Sequence, residues 1–213
     1  MKYISTKKLI SLILCFYIIT TPLLATLIDN SSNEFKTNSI DLQYNIGSWE
    51  VNQDGLNCYM GSLGDGFLFS NTTAQNFIFE TDVVFHSTSE SVASLLFGSN
   101  NDLNQKNMYV ANINPNNGVT RLFKFQYNSV ETQAFDLVSK KSVAQTNNNS
   151  YHLSVTVIGK HIVFRVNGEV VANTADYTST DIYGQNDAFI GNYLGLLSWN
   201  ANCTHQNLYD GRP

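Results

Sequence analysis

The side chains best spaced to do chemistry in this 213-residue chain are Glu80 and Asp82, in the stretch FIFETDVVF. Residues two apart on a strand share a face, so a strand here would present both carboxylates together. Paired carboxylates can serve as nucleophile and acid/base at a glycosidic bond. The next position on that face is Val84, which cannot donate a proton, so no third acid stands on that face of the strand. In MYVANINPNNGVTRLFKFQ, Asn112 and Lys124 offer an amide and a cation among apolar neighbours. Acids that accept, with an amide and an ammonium that donate, could bind sugar hydroxyls if they meet on one sheet face. The same residues could equally form a solvated face with ion pairs. The four histidines, His86, His152, His161 and His205, are scattered, without an H-E-x-x-H or paired-cysteine pattern. No metal site, cofactor or Ser-His-Asp order is expected. GSLGDG at 61–66 lacks a following helix and reads as a loop rather than a phosphate cradle.

The elements that must position these residues are strands. Alternation and turn clusters predict them over 48–53, 56–62, 66–70, 76–86, 92–99, 108–114, 119–126, 132–139, 151–158, 161–166, 169–174, 188–192, 195–201 and 203–209. No segment carries a sustained helical stripe. In FIFETDVVF, Phe77, Phe79, Val83 and Phe85 form the core set, opposite Ile78, Glu80, Asp82 and Val84. In YHLSVTV, Tyr151, Leu153, Val155 and Val157 oppose His152, Ser154 and Thr156. Ala93, Leu95 and Phe97 oppose Ser94, Leu96 and Gly98, and Lys124 opposes Phe123 and Phe125. Gly159-Lys160 and Asn167-Gly168 are tight hairpin turns, which makes 152–172 a three-stranded meander. Many short strands at this spacing indicate an all-β sandwich or barrel.

The N-terminus, with Lys2, Lys7 and Lys8 before an uncharged apolar run from Leu9 to Ala25, reads as a signal peptide over 1–25. An uncleaved anchor is the alternative. Residues 26–46 are Asn- and Ser-rich and read as a leader or linker, leaving 47–213 as one sandwich domain. Such a chain would be extracellular, with no membrane association after cleavage. The formal net charge is −5, without a Lys/Arg cluster beyond the leader, which disfavours nucleic acid as a partner. Of three cysteines, Cys15 lies in the signal. Cys58 and Cys203 remain, an even pair for an oxidising compartment, and a disulfide is expected. Asn30, Asn71, Asn148 and Asn202 head Asn-x-Ser/Thr sequons, marking a candidate glycoprotein.

The segments FIFETDVVFHSTSESVASLLFGSNNDLNQKNMYVANINPNNGVTRLFKF, YHLSVTVIGKHIVFRVNGEVV and GLLSWNANCTHQN, in that order, resemble a known sandwich. It is the C-terminal domain of glycoside hydrolase family 32, the levanases and invertases, and the related family 66 fructan-binding module. The resemblance runs from about Ser48 to Leu208. It implies a concanavalin A-like jelly-roll sandwich of two antiparallel sheets without the catalytic propeller, and hence a non-catalytic, lectin-like carbohydrate-binding module for fructan or another polysaccharide. Acidic residues and an arginine grip a terminal fructose in such relatives, and Glu80, Asp82, Asn112 and Lys124 stand at matching positions. The family's Phe-Arg is Phe97-Gly98 here, which removes a rigid bidentate donor fork. Trp199 of the closing Gly-Leu-x-x-Trp-Asn motif reads as a core residue. Two other readings stay open: an adhesive or structural extracellular protein that uses the sandwich for protein contacts, and a glucanase-type hydrolase.

Overall fold

The structure, a computed structural model, describes residues 42–46, 48–59, 65–73, 76–87, 91–99, 106–127, 132–176 and 193–211. Among these the chain forms fifteen strands. They are β1 (Leu42–Ile46), β2 (Ser48–Asn52), β3 (Gly55–Tyr59), β4 (Asp65–Thr73), β5 (Phe77–Phe85), β6 (Val92–Ser99), β7 (Lys106–Asn114) and β8 (Val119–Tyr127). There follow β9 (Thr132–Asp136), β10 (Lys141–Ser142), β11 (Ser150–Ile158), β12 (His161–Val166), β13 (Glu169–Ala175), β14 (Tyr193–Trp199) and β15 (Asn202–Gly211). One sheet runs β1-β4-β14-β6-β7-β8-β10, with β9 also pairing β8; the other runs β13-β12-β11-β5-β15-β3-β2. Neighbours are antiparallel throughout.

Period-two alternation decides what lies between the sheets. Along β5 burial alternates without a break, and Phe77, Phe79, Thr81, Val83 and Phe85 face inward. They meet Ala93, Leu95 and Phe97 of β6, Tyr109, Ala111 and Ile113 of β7, and Leu153, Val155 and Phe164 of the meander. Phe97 stacks on Tyr109 at 5.2 Å between centroids and takes the edge of Phe77, from the facing sheet, at 6.0 Å. Both predicted hairpins form. Gly159 has φ 59°, and Asn167 and Gly168 have φ 52° and 79°, the positive pair that a type I′ turn needs.

Three expectations are corrected. Leu42–Ile46, read as linker, is a strand laddered to β4. Its five residues are too short an alternation to stand out in an Asn/Ser-rich stretch, and the neighbouring strand supplies the hydrogen bonds that fix it. The segment 188–192 lies outside the described residues. Second, Lys124 faces inward beside Leu122, while Phe123 and Phe125 face outward. The outer face of this sheet has a buried apolar cluster of its own, Leu96, Met108, Val110, Phe123 and Leu197. Strand β8 therefore turns its phenylalanines outward onto that cluster and its lysine inward, and alternation alone points to the wrong side as the core. Third, Trp199 shares the outward parity of Leu197, opposite core residues Leu194 and Leu196, and is 42% exposed.

Candidate functional site

Glu80 and Asp82 project from β5 onto the outer face of the seven-stranded sheet. Strand β5 lies between β11 and β15, and the register sets His152 opposite Asp82, Ser154 opposite Glu80, and Gln206 opposite Asp82. Ser154 Oγ donates to Glu80 Oε1 at 2.6 Å. His152 Nδ1 lies 2.8 Å from Asp82 Oδ1, and its Nε2 lies 3.9 Å from Glu80 Oε1. One imidazolium thus spans both acids. The Glu80 carboxylate chiefly, with Asp82 adding to it and burial opposing, pushes the His152 pKa up to about 9. His152, together with the Ser154 hydroxyl and Arg165, holds the Glu80 carboxyl below its usual range against the effect of burial. From the other side Asn207 Nδ2 donates to Asp82 Oδ2 at 2.7 Å. Asn207 reaches it because β15 bulges between Gln206 and Tyr209, with Asn207 at φ 48°, a left-handed conformation that Asn tolerates better than most residues.

Beside this cluster the same face sinks into a hollow of about 430 Å³ lined by Asp54, Asn57, Val84, His86, Asn202, Thr204 and Gln206. Thr204 Oγ1 donates to Asn57 Oδ1 at 2.5 Å and lies 2.7 Å from His86 Nε2. With its own proton committed, Thr204 accepts from His86, which fixes the Nε2–H tautomer. Gln206 Nε2 donates to the Asp54 carbonyl at 2.7 Å. Asn202 Oδ1 is buried at the hollow without a hydrogen-bond partner. Val84, the next outward residue of β5 after Asp82, is part of the hollow's lining. Among the described residues no group of three His, Cys, Asp or Glu side chains is arranged to hold a metal ion.

The four residues expected to share one patch are divided over three surfaces. Glu80 and Asp82 stand together as above. Asn112 lies on the outer face of the other sheet, in register with Ser94 and Arg121. Lys124 is between the sheets, in an ion pair with Asp176 that leaves their side chains 8% and 2% exposed. Tyr109 Oη also donates to Asp176 Oδ2, at 2.6 Å. Asp176 follows β13 of the opposite sheet, so this is a lock between layers, and Lys124 is corrected from ligand donor to structural cation. Gly98, where the family's arginine is missing, has φ 64° at a register irregularity between β6 and β14, a conformation that strains any larger residue.

Sequence reasoning missed His152, Ser154 and Asn207 as partners of the acids. The signal for the first two was present in their shared outward parity; the cross-strand register was not. Cys58 and Cys203 are register partners on β3 and β15, but the structure holds them as two fully buried thiols rather than the expected disulfide. Burial pushes their pKa values up to about 11 and about 12, and Ser198 Oγ lies 3.2 Å from Cys203 Sγ. Of the sequons, Asn148 is exposed in a turn, Asn202 opens a central strand, Asn71 is on β4, and Asn30 lies outside the described residues.

No protein-family model matches the chain. Among curated proteins it is 34% identical over 173 residues, 80% of its length, to a fructan beta-fructosidase of Streptococcus mutans. It is 24% identical over 146 residues, 68% of its length, to a levanase of Bacillus subtilis. It spans 12% of the first relative and 19% of the second. Among solved structures it superposes on the carbohydrate binding module CBM66 of Bacillus subtilis with a TM-score of 0.62 and 17% identity, covering 82% of this chain and 98% of that one. This chain is a concanavalin A-like sandwich similar in fold to CBM66. A Bacillus subtilis protein with a galectin-like fold also superposes, with a TM-score of 0.56 at 9% identity, over 79% of this chain and 88% of that one.

Proposed function

We propose that this chain is a secreted, non-catalytic carbohydrate-binding module whose ligand lies across the outer face of the seven-stranded sheet. The observation that carries the reading is the hollow beside the Glu80–His152–Asp82 cluster, with the amides of Asn57, Asn202 and Gln206 in its wall. Its volume lies within the usual range for small-molecule sites, and its lining combines the amides of Asn57, Asn202 and Gln206 and the Thr204 hydroxyl with Asp54, His86 and Val84, a mixed wall that suits a polyol. Sugar hydroxyls would meet the amides of Asn57, Asn202 and Gln206 and the open oxygen of Glu80. Fructan is the polymer to try first, because the curated relatives are a fructan beta-fructosidase and a levanase. With both acids held as carboxylates by His152, and valine at position 84, the cluster has no carboxylic acid to protonate a leaving group, which supports binding over hydrolysis. A glycan attached to Asn202 would fill the hollow, so the reading requires that sequon to be vacant, with the exposed Asn148 as acceptor.

The test is calorimetry with levan-derived oligosaccharides, backed by a glycan array. Each lost hydrogen bond costs about 0.5–1.5 kcal/mol, so Glu80→Gln and Asn202→Ala should each weaken binding by about two- to tenfold. Absence of binding to any glycan would favour the adhesive reading. Release of reducing sugar, abolished by Glu80→Gln, would favour the hydrolase.

A further inference from the structure

We propose that the outer face of the seven-stranded sheet carries a second sugar subsite on the Tyr209 ring, beside Glu80, so that the module grips an oligosaccharide along its length rather than a single sugar. The ligand class rests on the proposed function. Alternation from Thr204 and Gln206, which line the hollow, would put Leu208 outward next. The extra residue that bulges β15 between Gln206 and Tyr209 turns Leu208 into the core instead, and sets Tyr209 outward in register with Glu80. Tyr209, Glu80 and Ser154 then stand side by side on β15, β5 and β11. Gly211, two residues further along β15, decides how the ring lies. A Cβ there would come within 2.5 Å of the phenol oxygen and 2.7 and 2.8 Å of Cε1 and Cζ. Without that Cβ the ring lies down along the strand; Gly211 is buried beneath it, and Tyr209 itself stays partly exposed.

A ring laid along a sheet offers an apolar surface on which the C–H side of a sugar can stack, with its hydroxyls left for neighbouring polar groups. Glu80 supplies the acceptor: Ser154 and His152 both approach it through Oε1, which leaves Oε2 for a hydroxyl of the same sugar. This face is open, with the side chains of Glu80, Asp82 and His152 29%, 31% and 42% exposed. From Val84, in the lining of the hollow, to Glu80 the strand advances about 13 Å at 3.2–3.4 Å per residue. One sugar ring does not reach across that span. An oligosaccharide running along β5 would touch the hollow, then the Asp82 row, then the Tyr209 ring.

The experiment is calorimetry of the full chain with a levan-derived disaccharide and a levan-derived tetrasaccharide, well below each variant's melting midpoint so that folded protein is compared throughout. Wild type should bind the tetrasaccharide more tightly. Tyr209→Ala should weaken the tetrasaccharide about two- to tenfold, the size of a lost aromatic stack, and leave the disaccharide in the hollow unchanged. Tyr209→Phe should keep the length advantage, because the ring carries it. Gly211→Ala, whose methyl would meet the phenol, should displace the ring and lose the advantage with Tyr209 in place. Asn202→Ala, in the hollow, should weaken both lengths by the same factor. If Tyr209→Ala binds the tetrasaccharide as wild type does, or wild type binds both lengths equally, the subsite is refuted and the hollow stands. If wild type binds neither sugar, the subsite and the proposed function fall together.

Discussion

Replacing Lys124 with methionine separates a structural cation from a ligand donor. Its ammonium lies between the sheets beside the Asp176 carboxylate, with side-chain exposures of 8% and 2%, and 5.8 Å from the Tyr109 ring centroid. Methionine keeps most of the side-chain volume but removes the charge, so Asp176 stays buried beside the Tyr109 hydroxyl and loses the Lys124 ammonium. Removing one partner of a buried ion pair costs about 3–5 kcal/mol, because the remaining charge is neither solvated nor neutralised. For a domain of this size each kcal/mol moves the midpoint by about 2–4 °C, so a thermal melt should show a loss of about 6–20 °C. Replacing both partners, as Lys124→Met/Asp176→Leu, removes the stranded charge and should restore most of that loss. Glycan affinity of the folded single variant should be unchanged. A Lys124→Met protein that melts like wild type and has lost levan binding would refute the structural reading and return Lys124 to a ligand.

Two histidines give stability opposite pH limbs. Burial holds His205 down at about 3 from 6.5, so the unfolded chain takes up a proton that the folded chain refuses, and stability falls as pH drops below about 6.5. The full limb is worth up to ~5 kcal/mol, and melting midpoints of His205→Leu should be flatter than wild type between pH 6.5 and 4. His152 is raised to about 9, so its contribution is complete below 6.5 and disappears as pH rises through 9; His152→Ala should flatten the alkaline limb. For the cysteines, register partners on antiparallel strands lie about 4.5–5.5 Å apart at Cα, within disulfide reach. Protein secreted or refolded with glutathione disulfide is expected to lose two hydrogens in mass and to gain about 4–5 kcal/mol in denaturant unfolding over its reduced form. Alkylation of both thiols after denaturing the oxidised sample would show that the bond does not form.

The sequence by itself determined the all-β class, the meander with its two hairpins, and the outward direction of Glu80 and Asp82. Each rests on interactions local to a strand or a turn: period-two alternation in 77–85 and 151–157, and the positive φ that Asn167-Gly168 supplies. Tertiary structure decided which strands lie side by side. The His152 bridge between two acids, and the meeting of Asn57, Thr204 and His86 at a hollow, come from neighbours brought together by the β3-β15-β5-β11 order, a non-local pairing without a local sequence signature. It also decided the fate of Lys124 and Trp199. A sheet with a buried apolar cluster on its outer face as well as its inner one does not reveal its inside by alternation, and only packing against the second sheet placed the lysine between the layers and the tryptophan outside them.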